Sequence, residues 1–358
     1  MRYHEWHRET SKRGDAREQL PERRGRKGRM ELVKALTEKH PAAGPDGAAL
    51  AASSGPARFW KVMKSQKYLY FMSMPFVIWV FVFSYMPLWG WTMAFQDFKA
   101  GKTFGEQKWV GFKHFQELFT DERFYLVLRN TLAMSLMGLI VGFVVPILFA
   151  VLLNEVKGRL FKRTVQTISY LPHFVSWVVV AGIVTKMLST DSGAVNNLLM
   201  WLHITDEPIQ FMAKGNWFWS IVTASDLWKE LGWSAIIYLA AIAGIDPELY
   251  EASRVDGANR LRQMWHITLP GIRTTISVLL IMSIGHLISI GFEKQFLLGN
   301  NLVKDYSEVL DLYALNYGLS LARFSFGTAI GIFNSVVSIF LLFLANGVLK
   351  KVTKESIM

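Results

Sequence analysis

Long apolar runs alternate with polar segments along most of this chain. A helix needs about 20 apolar residues to cross the roughly 30 Å hydrocarbon core of a bilayer. Six runs reach or approach that length, at about 68–94, 131–153, 168–188, 218–243, 274–290 and 326–349. The pattern predicts an all-α membrane protein with six transmembrane helices. Pro172 fits the first turn of the third helix, with His173 capping or packing at its cytoplasmic end, and the fifth run is just long enough.

The polar segment between the fourth and fifth runs, about 245–272, has an unusual pattern. Apolar residues recur around a central Gly257, which a simple connection between spans does not require. Asp246 and Pro247 suit a helix start, as an acidic N-cap and a proline at the first helical position. Glycine readily adopts the positive φ that ends a helix. We therefore predict a helix that begins at Pro247 and stops at Gly257, followed by a second helix over 258–265.

The first 66 residues differ from the rest of the chain. They are rich in Lys and Arg and include a linker of small residues at 42–56. Such a composition is typical of a flexible segment. Residues 1–66 are therefore predicted to form a basic cytoplasmic extension, and 67–358 the transmembrane domain. A nucleic-acid-binding tail and an over-long start are the alternatives.

Positive charge decides the predicted orientation. The chain has a net charge of +11 and no cysteine, which excludes a disulfide framework and a thiolate metal site. With the N-terminus inside, the inner segments hold 27 Lys and Arg residues and the outer segments hold 9. Cytoplasmic loops carry the positive excess in membrane proteins. Both termini and the segment 245–272 are therefore predicted to be cytoplasmic.

The segment 245–272 also carries a recognisable series of short motifs. They are Glu251-Ala252-Ser253, Asp256-Gly257-Ala258 and Ile267-Thr268-Leu269-Pro270. This series resembles the EAA loop of bacterial ABC-importer permeases, with Ser253 where the family has alanine. The lead-in at 244–250 is similar to the carbohydrate branch, and 228–233 looks like the subgroup that moves complex or acidic oligosaccharides. The resemblance extends from about Tyr68 to the C-terminus.

The resemblance implies one permease half of an ATP-driven ABC importer in the bacterial cytoplasmic membrane. Its expected partners are a second homologous permease subunit, a cytoplasmic ABC ATPase dimer and an extracytoplasmic solute-binding lipoprotein. The expected solute is a carbohydrate, more narrowly an oligosaccharide. ATP and Mg²⁺ would bind to the ATPase subunits. This chain has no GxxxxGK[ST] loop that could hold them, so no cofactor is expected in it.

Other functions remain open at this point. The same machine would serve equally for a non-sugar solute such as an amino acid. A membrane enzyme would need a catalytic constellation, but HExxH, GxSxG and paired intramembrane aspartates are missing from the sequence. Neither catalytic residues nor a metal site is therefore predicted. A secondary transporter would show internal repeats and more ionisable residues at membrane depth. The sequence identifies neither the solute nor which permease half this is.

The resemblance implies that the segment 245–272 couples the chain to the ATPase. The residues expected to take part are Glu251, Ala252, Ser253, Asp256, Gly257, Ala258, Leu261, Met264, Trp265, Leu269 and Pro270. In the family, the glutamate at the position of Glu251 pairs with a basic residue of the ATPase; a solvated carboxylate is the alternative. An exposed ion pair contributes about 0–1 kcal/mol. Most of the docking free energy is therefore expected from Leu261, Met264 and Trp265.

Charged residues in the fourth run mark a candidate substrate pathway. Asp226, Lys229 and Glu230 are spaced to share a helix face, and ionisable groups at membrane depth usually face a bundle interior or water. The full candidate set is Asp226, Trp228, Lys229, Glu230, Trp233, Tyr238, His286 and Asn334. An Asp226–Lys229 ion pair without substrate contact is an equal alternative. For His286 and Asn334, hydrogen bonds between helices are the favoured interpretation.

Overall fold

The computed structural model describes residues 64–353, and the chain divides into two units, 1–84 and 85–358. The first helix, α1, covers Lys67–Val80. A π-helical segment, Phe81–Tyr85, and a 3-10 helix, Met86–Phe95, follow it along the chain. Most of the predicted extension over 1–66 lies outside the described residues, so its nature stays a prediction.

The second unit is built mostly of helices. The first group is α2 (Lys113–Thr120), α3 (Glu122–Asn154), α4 (Arg159–Tyr170), α5 (Trp177–Met187), α6 (Ala194–Trp201) and α7 (Gly215–Ala243). The second group is α8 (Pro247–Val255), α9 (Arg260–Gly271), α10 (Arg273–Gly285), α11 (Glu293–Leu298), α12 (Lys304–Ser307), α13 (Leu310–Ala314) and α14 (Phe324–Thr353). Short 3-10 helices lie at Phe104–Glu106, Leu171–Phe174 and Phe211–Ala213, and π-helical turns at Met264–Thr268 (inside α9) and Leu315–Ser320. A small antiparallel ribbon pairs β1 (Gln96–Asp97) with β2 (Lys108–Trp109), which the sequence analysis did not predict.

Three helices in the described part of the chain are long enough and apolar enough to cross a membrane. They are Lys67–Phe95, Glu122–Asn154 and Phe324–Val348. Two bent helix pairs, 159–187 and 260–285, raise the number to five if each pair forms one span. α7 has 29 residues, which is long enough, but its charged residues make it more polar than these helices. Length and apolarity alone therefore do not yield the predicted six spans.

The third predicted span is not one continuous helix. α4 and the turn Leu171–Phe174 end before Ser176, and α5 begins after a bend of 103°. Pro172 opens the short turn, and the Ser176 hydroxyl accepts a hydrogen bond of 3.4 Å from the first turn of α5. The prediction of an unbroken helix over 168–188 is therefore wrong. The residues on both sides of the break are apolar, so hydropathy does not reveal that one helix ends and another begins inside the run.

The fifth predicted span is also interrupted. α10 has 13 residues and ends at Gly285, and residues 286–290 form a turn and irregular backbone. A helix of that length is about 20 Å long. A bend of 61° separates it from α9. The predicted continuous span over 274–290 is wrong, because its last part is not helical and α9 precedes it at an angle.

Buried apolar side chains of the second unit form three clusters. The first surrounds Tyr313 and Phe326. The second includes Phe218 near the start of α7, and the third includes Tyr238 near its end. The two ends of α7 are thus packed into apolar cores. The polar residues of the helix lie in its middle, between these cores.

Gly232 allows α4 to approach α7 closely, because a Cβ at this position would collide with the backbone of Ser169. We predict that Gly232→Ala lowers the free energy of unfolding by about 1–3 kcal/mol, as overpacking does. Gly182→Ala is the matched control, since a Cβ at Gly182 meets nothing within 4 Å and alanine favours a helix over glycine. Thermal unfolding of the detergent-solubilised protein measures both. Equal unfolding midpoints for the two variants would contradict the prediction.

Candidate functional site

A cavity of about 340 Å³, here called the central cavity, lies between α3, α7 and the segment from α10 to α11. Its ionisable residues are Asp226, Glu230, His286 and Lys294, and its hydroxyl groups come from Ser135, Thr223, Ser234 and Ser283. The four members on α7 recur at intervals of three or four residues, so they share one helix face. On the opposite wall, Gly138 and Gly142 of α3 leave space open.

An ion pair links two walls of the central cavity. Lys294 Nζ lies 3.0 Å from Asp226 Oδ2, which connects α11 to α7. The ammonium also lies 5.8 Å from the centre of the Trp177 ring, within range of a cation–π interaction. The Asp226–Lys229 pair considered from the sequence is therefore not formed, because Lys294 takes the place of Lys229.

Lys229 points away from the central cavity, to the break between α4 and α5. It is 6% exposed. Its Nζ donates hydrogen bonds to the backbone oxygen of His173 at 2.7 Å and to Glu230 Oε1 at 2.9 Å. The end of a helix leaves carbonyl groups unpaired and carries partial negative charge. The ammonium satisfies that need, so Lys229 stabilises the helix break.

Glu230 connects this break to the central cavity. Its second carboxylate oxygen lies 2.7 Å from His173 Nδ1, and the His173 ring stacks on Trp233 with ring centres 4.3 Å apart. His173 thus contacts the middle of α7, which corrects the predicted packing at the cytoplasmic end of a span. The two carboxylates that line the cavity, Asp226 and Glu230, are each paired with a lysine. The cavity wall therefore carries little net charge.

The predicted pathway residues separate into two groups. Asp226, Glu230 and His286 line the central cavity. The others, Trp228, Lys229, Trp233, Tyr238 and Asn334, do not line it. Tyr238 is buried in the third core cluster, and Asn334 Nδ2 donates a hydrogen bond of 2.9 Å to Asp311 Oδ1. Burial raises the pKa of Asp311, and this hydrogen bond opposes part of the increase.

Lys294 and Gln295 line the central cavity but were missed by the sequence analysis. They lie in a polar stretch after the fifth apolar run, where hydrophobic periodicity does not indicate which side chains face the protein interior. Gly291 has a φ of +75° and precedes α11. A glycine between an apolar run and a charged short helix was the available signal that the chain turns there.

The segment 245–272 forms two helices around a glycine, as predicted. Asp246 Oδ1 accepts a hydrogen bond of 2.9 Å from the first turn of α8, so it is the N-cap. Gly257 turns the chain with a φ of +77°. α9 begins at Arg260, two residues later than predicted, and continues to Gly271, beyond the predicted end.

Four polar side chains, here called the loop cluster, join α8 to α9. Gln263 Nε2 donates to Ser253 Oγ at 2.9 Å, and Ser253 Oγ donates to the backbone oxygen of Tyr250 at 2.9 Å. The hydroxyls of Tyr250 and Thr268 lie 3.0 Å apart. The Ser253 hydroxyl, at the position where the resembling family has alanine, is thus a hydrogen-bonding partner between the two helices.

The surface of this helix pair combines apolar, acidic and basic groups. Val255, Leu261 and Trp265 are 89%, 60% and 62% exposed. Glu251, Ala252, Asp256, Gly257 and Pro270 are exposed too, and Ser253, Ala258, Met264 and Leu269 are partly buried. Met264 packs against the third core cluster, whereas Leu261 and Trp265 face outward. The three residues expected to dock together therefore do not share one surface.

Comparison with known proteins gives consistent matches over most of the chain. A family model described as "Binding-protein-dependent transport system inner membrane component" matches residues 142–354. The polygalacturonan/rhamnogalacturonan transport system permease protein YteP of Bacillus subtilis (strain 168) is 46% identical over 292 residues, covering 82% of this chain and 90% of YteP. Protein LplB of the same organism is 40% identical over 312 residues, covering 87% and 97%.

A solved structure is similar at the level of both sequence and fold. It is a chain from the crystal structure of a bacterial ABC transporter involved in the import of the acidic polysaccharide alginate. The TM-score is 0.77 and the sequence identity 42%, over 83% of this chain and 99% of that one. The alginate transporter in complex with an alginate pentasaccharide-bound periplasmic protein matches with the same TM-score of 0.77 and 41% identity.

The contacts of Lys229 lead to a prediction for stability. Lys229→Met removes the hydrogen bonds to His173 and Glu230 and leaves a partly buried carbonyl without a donor. We expect a loss of about 1–3 kcal/mol in the free energy of unfolding. Lys186→Met is the control, because Lys186 is exposed and such surface changes stay within about 0.5 kcal/mol. Chemical or thermal unfolding of the purified protein measures both variants. A Lys229 variant as stable as the Lys186 variant would refute the stabilising role of Lys229 at the helix break.

Proposed function

Because this chain belongs to the family of binding-protein-dependent transport system inner membrane components, we propose that it is one permease half of an ATP-driven importer for an acidic oligosaccharide. The observation that carries this proposal is the joint similarity to a polygalacturonan/rhamnogalacturonan permease and to an importer of the acidic polysaccharide alginate. The family consists of transport components rather than enzymes, which speaks against the membrane-enzyme alternative. The proposed location is the bacterial cytoplasmic membrane.

The charge balance of the central cavity supports an acidic solute. An unpaired carboxylate in the wall would repel a sugar acid, but Asp226 is paired with Lys294 and Glu230 with Lys229. The carboxylates accept hydrogen bonds from sugar hydroxyls, and the Lys294 ammonium offers a partner to the carboxylate of a sugar acid. Serine and threonine hydroxyls supply further polar contacts of the kind that orient a ligand in a pocket.

The six-span arrangement belongs to the proposal. The helices Lys67–Phe95, α3, α7 and α14 supply four spans, and the bent pairs α4–α5 and α9–α10 supply two. Non-helical backbone at membrane depth is tolerated where the protein satisfies its polar groups, and the bond from Lys229 to His173 does this at the first bend. The distribution of Lys and Arg supports an orientation with α8, α9 and both termini in the cytoplasm.

The α8–α9 segment is proposed to dock on the ATPase dimer, which holds ATP and Mg²⁺. The exposed side chains of Val255, Leu261 and Trp265 offer apolar surface, and burying one such side chain contributes about 1.5–3 kcal/mol. Glu251 adds a charge whose contribution is smaller, because exposed ion pairs contribute about 0–1 kcal/mol. The loop cluster keeps α8 and α9 together, so a displacement of either helix by the ATPase moves both.

The remaining partners are a second permease subunit and an extracytoplasmic binding protein. The proposal for the binding protein is supported by the alginate transporter, which was crystallised with its periplasmic protein. In the proposed orientation, the segment 291–325 lies on the side from which that protein approaches. The oligosaccharide would then pass this segment before it reaches the central cavity.

Reconstitution of the whole importer tests the proposed function. The two permeases, the ATPase and the binding protein are placed in lipid nanodiscs, and ATP hydrolysis is measured with galacturonate oligosaccharides, neutral galactose oligosaccharides or amino acids. We expect the acidic sugars to stimulate hydrolysis several-fold over the other two. Stimulation by amino acids alone would contradict a sugar function. Uptake that persists without ATP would instead indicate a secondary transporter.

The positive φ of Gly257 provides a test of coupling. Valine at this position is strained by about 1–3 kcal/mol, so Gly257→Val is expected to lower sugar-stimulated ATP hydrolysis about tenfold, the ratio that ~1.4 kcal/mol gives. Glu251→Arg is expected to lower sugar-stimulated ATP hydrolysis as well, because the arginine would be repelled by the basic residue of the ATPase that is expected to pair with Glu251. Gly257→Asn is the matched control, because asparagine tolerates a positive φ. Membrane levels of all variants are quantified, and full stimulation in Gly257→Val would exclude a role for this turn.

A further inference from the structure

A second polar cavity adjoins the central cavity. It has a volume of about 420 Å³ and lies between α11, α12 and the turn that follows α13. Its lining includes Phe296, Asn301, Lys304, Asn316, Tyr317 and Ser320. We call it the Lys304 groove. Gln295 lines both cavities, so this side chain is part of a wall that the two spaces share.

Gln295 has an unsatisfied hydrogen-bonding group in this shared wall. The residue is 1% exposed, and its Nε2 contacts the sulfur of Met134 at 3.7 Å. Its Oε1 has no hydrogen-bond partner among residues 64–353. A buried acceptor without a partner is unfavourable by about 1–3 kcal/mol and requires an explanation in a native protein. A turn of the Gln295 amide toward either cavity would bring this oxygen within reach of a ligand hydroxyl, which would satisfy it.

The Lys304 groove offers the groups that recognise a sugar acid. Phe296 is 58% exposed and presents an apolar ring to the face of a sugar. Asn301 is exposed, and its side chain forms no hydrogen bond within the described part of the chain. Lys304 is exposed and is free of ion pairs with residues 64–353. Its ammonium is therefore available to a carboxylate.

The acidic residue in the groove does not oppose this ligand. Glu308 is buried, at 2% exposure. Its Oε2 accepts a hydrogen bond of 2.6 Å from Arg123 Nε, and its Oε1 accepts one of 2.9 Å from Asn316 Nδ2. The negative charge is thus compensated inside the protein. Lys304 remains as the uncompensated charge of the groove.

From these observations we propose that the Lys304 groove is a second sugar-binding subsite, which holds the part of an acidic oligosaccharide that extends beyond the central cavity. A cavity of about 340 Å³ is at the lower end of the range for small-molecule pockets, so a chain of several sugar rings needs additional space. Gln295 contacts the ligand from the shared wall, and Lys304 binds a carboxylate. This inference rests on the proposed import of an acidic oligosaccharide.

The test compares ligands of different length on the whole importer in nanodiscs. The KM for binding-protein-dependent stimulation of ATP hydrolysis is measured with a galacturonate disaccharide and with a longer galacturonate oligosaccharide. Lys304→Gln is expected to raise the KM for the longer ligand about twofold to fivefold, as the loss of one exposed charge pair does. The KM for the disaccharide is expected to stay at the wild-type value. Lys214→Gln is the matched control, because Lys214 is also exposed but lies outside the groove.

A second variant keeps the proposal testable if Lys304→Gln disturbs assembly. Asn301→Ala is expected to raise the KM for the longer ligand about twofold to tenfold, as the loss of one hydrogen bond does. Asn197→Ala, also on an exposed asparagine, is its control. Unchanged KM values, or equal increases for both ligand lengths, would overturn the second subsite alone. A wild-type importer that responds to neither ligand would overturn the proposed function and the subsite with it.

Discussion

A charged side chain in a long, largely apolar helix needs a partner, and the middle of α7 meets this requirement with residues from other segments. Asp226 is paired with Lys294 of α11, and Lys229 and Glu230 bind His173 at the break between α4 and α5. These contacts hold two irregular segments against one long helix. The central cavity lies between α7, α3 and the segment from α10 to α11, so the Asp226–Lys294 pair contributes to its shape and both lysine–carboxylate pairs contribute to its polarity.

The connections of α7 relate this cavity to the α8–α9 segment. α7 leads directly into α8, and α9 leads directly into α10, so the segment is attached to two walls of the central cavity. Met264 and Leu269 of α9 pack against the third core cluster, which also contains Ile242 and Ile272. The loop cluster adds hydrogen bonds between α8 and α9. The helices on both sides of Gly257 are therefore tied to α7 and α10 by the chain and by core packing.

Local sequence patterns predicted the local structure well. Capping residues and a glycine were enough for the start of α8 and the turn at Gly257, because each depends on neighbours in the chain. Apolarity alone failed for the third and fifth runs, since it does not report where a helix stops inside an apolar stretch. The partner of Asp226 was missed because Lys294 is distant in sequence and its position depends on the turn at Gly291. Similarly, no sequence signal separates Met264, which packs inward, from Leu261 and Trp265.

The hydrogen bond between Ser253 and Gln263 has a consequence for how such loops diverge. Gln263 is buried, and with alanine at position 253 its amide would lose a hydrogen-bond acceptor. The two positions are therefore expected to change together in descent, as a pair with matching chemistry rather than as independent sites. A chimaera that receives only α8 or only α9 from a relative with alanine would carry side chains at positions 253 and 263 that do not match each other in hydrogen bonding. Transfer of the whole segment from Asp246 to Gly271 keeps the pair intact.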